Sequence, residues 1–304
     1  MTATFDETVA RLSRLSSGRG FDAYADVDWD DPEMVVDPAD PRWELGATDP
    51  LAATDWYRSQ PSETRSAIGL YRYAACMKTG WHFENLLQRG LLAYVVGLPD
   101  GAPEFRYAHH ELIEESQHTL MFGEFISRSG FAVRGMPRGL LRLVEMSGTR
   151  LARRYPMLFF VGVLGGEEPI DHIQRRQLSG GESLHPLAER IMRIHVTEEA
   201  RHLSFARHSL QRGIPELSRR RRRVLSLVAP VVLGVLARTM LGPPPDLVRH
   251  FGIPKDVVRD ATRSPEGRQI ARDAVSRTRR LLTELGLVRG PARLVWRIMG
   301  IGGK

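Results

Sequence analysis

Apolar residues recur every three or four positions over several long stretches of this chain. From Ser62 onward, Leu70, Ala74, Met77, Trp81, Glu84, Leu87 and Leu91 keep to one side of a 3.6-residue repeat. That pattern predicts a long helix beginning after Pro61 and broken by GLPDGAP at 97–103. A second helix is expected from about Glu104 to Ser129, ended by Gly130, and a connecting helix follows GFAVRGMPRG to about Arg154. The third runs from near Met157 to about Leu178. The fourth, with Pro186 in its first turn, extends to about Arg212 and is closed by Gly213 and Pro215. A buried helix over about 218–241, a GPPP break and amphipathic helices complete the chain. No stretch alternates with a period of two over more than a few residues, so the expected class is all-α. Before Ser62, residues such as DVDWDDPEMVVDPADPRWELG predict an extended arm, helical only at its very start. The expected division is an arm over 1–61, a ferritin-like four-helix bundle over 62–215, and basic helices over 216–304 packed on it.

Composition narrows the class. With 304 residues, 42% hydrophobic and 26% charged, the chain can bury a sizeable core and is neither disordered nor a polytopic membrane protein. A single cysteine, Cys76, excludes an intramolecular disulfide and a cysteine-only zinc site. The longest apolar run, Val224 to Ala237, spans 14 residues and contains Pro230, short of the ~18–20 a spanning helix needs. With no leader-like start, the expectation is a cytoplasmic protein without a membrane span. Charge is uneven: residues 201–304 hold 22 Lys/Arg against 7 Asp/Glu, a net of +15, which leaves −8 for the first 200. The run Arg219–Arg223 admits two readings, a patch for nucleic acid or an anionic surface, or a solvated helix start. No RNA-binding aromatic signature or zinc-finger spacing accompanies it, so no nucleic-acid partner is expected.

The chemistry lies elsewhere. Glu115-Ser-Gln-His118 and Glu199-Ala-Arg-His202 are two ExxH elements, each pairing its side chains on one helix face. A carboxylate-bridged pair of metals in a four-helix bundle needs Glu, ExxH, Glu, ExxH in chain order. Glu84, on the apolar stripe of the first long helix, supplies the first glutamate, since a buried charge there is costly unless paired or metal-bound. On the third helix, Glu167 and Glu168 both qualify. His195, Glu199 and His202, at offsets of 0, 4 and 7, share a narrow wedge of the fourth helix and suggest a third histidine ligand. Such carboxylate-rich, nitrogen-supplemented donors favour iron or manganese over structural zinc. Histidine ligands need a carboxylate on their remote N–H. Asp171, Glu114 and Glu198 are candidates for that role, with surface positions as the alternative, and His172 is a candidate donor. Gly162, Gly165 and Gly166 signify either close helix packing or space beside the metals. Tyr73 reads as core or as a proton or radical partner.

The fragments WHFENLL, EESQHTLMF, GEEPIDH and HVTEEARH resemble the p-aminobenzoate N-oxygenase (AurF-like) family of non-haem di-iron oxygenases. The resemblance is clear over roughly 71–210. It implies the ligands Glu84, Glu115, His118, Glu168, His195, Glu199 and His202, with Glu168 preferred to Glu167 by the family's spacing to the extra histidine. It also implies that Glu115 and Glu199 bridge the ions and carry catalysis. The cofactor would be two iron ions, with manganese as a substitute, served by an external electron donor or reductase. Activity would be reduction of O₂ to a peroxo-di-iron oxidant and oxygenation of an amine nitrogen. Apart from the resemblance, the Leu/Val-rich residues 224–241 offer an interhelical face for a homodimer. A ferroxidase or other di-iron oxidase without amine chemistry, or a basic binding protein with a structural metal, are the alternatives.

Overall fold

The computed structural model describes residues 3–303 except Thr48 and Glu182, so the extreme ends of the expected 1–61 and 216–304 segments lie outside the described residues. All its regular structure is helical, with no strand among the described residues. The fold is an all-α, ferritin-like helical bundle. The chain begins with α1 (Phe5–Gly18), capped by a reciprocal Thr4–Glu7 box. An irregular arm with 3₁₀ turns at Pro32–Met34 and Pro41–Trp43 leads to the short α2 (Asp55–Arg58). The long α3 (Ser62–Val95) and α4 (Pro103–Ser129) pack along each other, and α4 stops where Gly130 turns left-handed at φ 71°. α5 (Arg138–Arg154) crosses over α3 to reach α6 (Pro156–Ser179), which pairs with α7 (Pro186–Glu216). α3 also meets α6, and α4 meets α7, which closes the bundle.

The remainder is α8 (Arg219–Leu241), α9 (Pro245–His250), α10 (Lys255–Arg263), α11 (Pro265–Ala274), α12 (Ser276–Glu284) and α13 (Pro291–Ile298). Of these, α8 packs along α6, while α11 and α12 also touch α6. Leu225, Ala229, Leu233 and Ala237 of α8 join Phe160, Leu164 and Phe205 in the main core. The stretch Arg219–His250 is long and apolar enough to cross a membrane by length and composition alone, but a core helix has the same composition, and 44% of its most apolar window is buried. Arg219, Arg220, Arg221 and Arg223 are exposed, while Arg222 donates to the carbonyl of Leu285.

One expected helix end is corrected. Gly213 and Pro215 do not close the fourth helix, since α7 continues to Glu216. Gly213 is a packing residue: a Cβ there would overlap the side chain of Met157 at the start of α6. The same logic settles two of the three α6 glycines. A Cβ on Gly166 would fall inside the Phe83 ring, and one on Gly165 would press on Leu233 and Leu236. Both serve close helix packing and leave no space beside the site. Gly162 meets nothing within 4 Å.

Candidate metal centre

The stripe that predicted α3 is real, and it carries a charge inward: Met77, Glu84, Leu87 and Leu91 are all buried, Glu84 to 1% exposure. From α4 come Glu115 and His118, and from α7 come His195, Glu199 and His202, all essentially without solvent contact. Two groups of donor atoms form, Glu84 with His118, His195 and Glu199, and Glu115 with Glu199 and His202, the atoms of each lying within 4.8 Å of one another. Glu199 belongs to both. Glu115 touches both histidine sets as well, with His118 Nδ1 and His202 Nδ1 each at 3.0 Å from its carboxylate.

The third-helix glutamate is where the expectation fails. Glu168, favoured by spacing, turns away: its Oε2 accepts the backbone N–H of Thr278 at 3.0 Å and also the Thr278 hydroxyl, with Arg207 at 3.5 Å. Glu167 faces the cluster instead, and its strongest electrostatic neighbours are Glu199 and Glu115. The reason is helix phase. Gln174 lies seven residues after Glu167, almost two full turns and therefore on the same face, and its Oε1 sits 2.9 Å from His195 Nδ1. Glu168 is about 100° further round, on the side that α12 and α8 cover. Linear distance to His195 does not determine that rotation, whereas Phe83 against Gly166 and Leu233 against Gly165 do.

Each ExxH histidine points Nδ1 at the cluster and Nε2 at a carboxylate behind it. His118 Nε2 is 3.0 Å from Glu198, and His202 Nε2 is 2.7 Å from Glu114. Those carboxylates hold the rings in one orientation, as metal-binding histidines require. Two of the three expected supports are therefore in place. Asp171 pairs with Arg175 at 2.7 Å and lies 3.9 Å from Arg277, and the Nε2 of His172 has no hydrogen-bond partner among the described residues. Tyr73 packs edge-on to Trp43 and its hydroxyl accepts from Gln177 at 3.1 Å, a core position.

Three buried side chains stand beyond the sequence expectations. Gln174 orients His195, and its seven-residue offset from Glu167 was the available signal. Arg201 donates to Glu114 at 2.7 Å and reaches Glu198 at 3.5 Å, so one guanidinium ties the two supporting carboxylates together. Glu111 is 1% exposed and one turn before Glu115. The arm closes this side: the backbone N–H of Phe21 donates to Glu198 at 3.3 Å, and that of Ala23 to Gln117 at 2.9 Å.

Crowding so many acids into a dry space perturbs them strongly. Burial, then the repulsion of Glu115 and Glu167, pushes Glu84 well above the ordinary carboxyl range. Burial also drives Glu111 up to about 8. For Glu115 burial acts the same way, but His202 and His118 outweigh it and hold it well below. Burial opposes protonation of His118, yet its contacts with Glu115 and Glu198 carry it up to about 10.

Whether metal ions fit is decided by unmet valence. Glu84 Oε2, Glu115 Oε1, Glu167 Oε1 and Glu199 Oε2 are buried with no hydrogen-bond partner among the described residues. Four carboxylates with orphaned oxygens, facing imidazole nitrogens fixed from behind, match the needs of hard or borderline divalent ions.

Comparison with known proteins gives the same direction. The family described as p-aminobenzoate N-oxygenase AurF matches residues 2–286, nearly the full chain. The chain belongs to the AurF family. That family is one of di-iron oxygenases. The chain is also 45% identical over 303 residues to the uncharacterized proteins Mb0909 of Mycobacterium bovis and Rv0885 of Mycobacterium tuberculosis, covering 99% of itself and 89% of each relative. A Mycobacterium tuberculosis protein, MT0908, matches at 44% over the same span.

Proposed function

We propose that this protein is a non-haem di-iron oxygenase that oxidises the nitrogen of a small amine, an aromatic one by the name of its family. The observation that carries the reading is Glu199, shared between two histidine-bearing groups of donors, with Glu115 at 3.0 Å from a histidine of each. In this reading Glu84, His118 and His195 would hold one ion and Glu167 and His202 the other, with Glu115 and Glu199 available to both. Bound there, two iron ions would supply reduction of O₂ and oxygen transfer to the amine, with electrons from an external donor.

The chain's own residues do the rest. Glu198 and Glu114 keep the Nε2 protons of His118 and His202, so that the Nδ1 lone pairs are free for metal. Gln174 Oε1 accepts from His195 Nδ1, which turns Nε2 toward Glu84 and Glu199, 3.8 and 3.9 Å away. Phe21, Ala23, Met121 and Ile194 pack around His118 and exclude water from that face. A cavity of about 80 Å³ lies between α3 and α6, lined by Tyr73, Cys76, Ile170, Ile173 and Gln177. A cytoplasmic location and a homodimer are parts of the same proposal.

Metal analysis followed by rapid mixing of the reduced protein with O₂, with and without a panel of arylamines, tests this. Two irons per chain and a transient visible absorption that decays faster with an amine are expected. Fewer than two irons, or a transient indifferent to every amine, would sink the oxygenase reading.

A further inference from the structure

The structure assigns Glu111 as a further metal donor, belonging to the ion held by Glu167 and His202. We infer this on top of the metal-centre reading above. One spacing is repeated on two helices. α7 carries His195-x-x-x-Glu199-x-x-His202, and α4 carries Glu111-x-x-x-Glu115-x-x-His118. Offsets of 0, 4 and 7 place all three side chains within about 60° of helix circumference on both helices. Glu115 and Glu199 correspond, and so do His118 and His202. The partner of His195 under the same exchange is Glu111.

The exchange extends to the other two helices. Glu84 of α3 sits with His118, His195 and Glu199, and Glu167 of α6 faces Glu199, Glu115 and His202. Swapping α4 with α7, and α3 with α6, maps the first set onto the second. The first set has three donors of its own, Glu84, His118 and His195. Without Glu111 the second has only Glu167 and His202.

Glu111 has the properties the missing donor requires. Its side chain is 1% exposed, and its Oε2 is buried with no hydrogen-bond partner among the described residues. The charged groups it faces are His202, Glu115, Glu199 and Glu114, and Glu167 faces it in turn. No arginine or lysine is paired with it among the described residues. A carboxylate in such a place is retained at a cost unless a cation meets it. The substitution of carboxylate for imidazole also makes the two ions unequal. The first would see two imidazoles, and the second one imidazole with an additional hard oxygen donor, which suits the more highly charged ion.

The test uses the full-length protein stripped of metal by chelation and titrated with Co(II), whose visible bands report the number and type of donors. Wild type is expected to take up two ions per chain with distinct affinities. Glu111→Gln, close in shape but without the anionic donor, is expected to bind the first ion unchanged and the second about tenfold or more weakly, with loss of one set of bands. Glu111→His restores a donor there and is expected to recover the second ion, with bands shifted toward those of the first. A merely structural role would alter thermal stability without separating the two affinities. Glu111→Ala replaces the glutamine variant if that one does not fold. Two ions in wild type together with an undiminished second affinity and unchanged bands in Glu111→Gln overturn the assignment alone. A wild-type chain that takes up no pair of ions overturns the metal-centre reading, and this inference with it.

Discussion

Around each ExxH histidine the decisive contacts are single hydrogen bonds. Glu198 accepts from His118 in a fully buried setting, and replacing it removes the group that fixes the ring and its tautomer. Glu198→Ala is therefore expected to weaken metal binding about 10- to 100-fold while leaving the helices intact, read by metal titration beside far-UV circular dichroism. Protonation gives a second prediction at this scale. Glu111 is raised by burial to about 8, and His118, against the pull of burial, is raised to about 10 by Glu115 and Glu198. Both bind protons more tightly folded than unfolded, so their contribution is complete below their unfolded pKa values and is lost as pH rises through the folded ones. The metal-free protein should lose stability between about pH 4.5 and 10, first through Glu111 and then through His118, measured by urea denaturation at several pH values. Glu111→Gln should remove the part of that loss that falls between about pH 4.5 and 8, and a flat or rising profile in the parent would contradict the assignment of these protons.

Helices place those residues, and glycines on α6 make the point testable in both directions. Gly166→Ala would drive a methyl into Phe83, the residue immediately before Glu84, so a loss of about 1–3 kcal/mol is expected together with weaker metal binding. Gly162→Ala meets nothing within 4 Å and should stabilise by up to about 1 kcal/mol through helix propensity. Thermal melts of the two variants should move in opposite directions. The same helices show what the sequence makes legible. The start of α3 at Ser62, the stop of α4 at Gly130 and the two ExxH pairs are written in local spacing, and the structure places all of them accordingly. The rotation of α6 is not. It depends on where Phe83, Leu233 and Leu236 press, residues distant in sequence, and so Glu167 rather than Glu168 turns inward. Gly213 looks like a helix terminator by composition, but its reason is Met157 on another helix. Glu111 had a signal, the 0, 4, 7 spacing on α4, but one more acid near Glu114 and Glu115 reads as a solvated face until burial is known.

For the molecule as a whole, the two ends of the chain act on opposite sides of the centre. The arm supplies backbone donors to Glu198 and Gln117, while α12 supplies Thr278 to Glu168, the neighbour of Glu167. Thr278→Val keeps the shape and removes the hydroxyl from a buried, charged acceptor. It should cost about 1.5–3 kcal/mol and, by freeing the turn of α6 that presents Glu167, lower affinity for one metal ion more than for the other. Equilibrium unfolding and metal titration of the variant give the two readouts.

The Thr278 anchor also bears on how the protein is made. The six side chains of the two donor groups, and Glu167, have been synthesised once His202 is complete, yet the backbone N–H that Glu168 accepts belongs to Thr278, made 76 positions later. Several more residues must then leave the ribosomal tunnel before that contact forms. The turn that presents Glu167 is therefore completed late, once α12 has been made and has packed on α6.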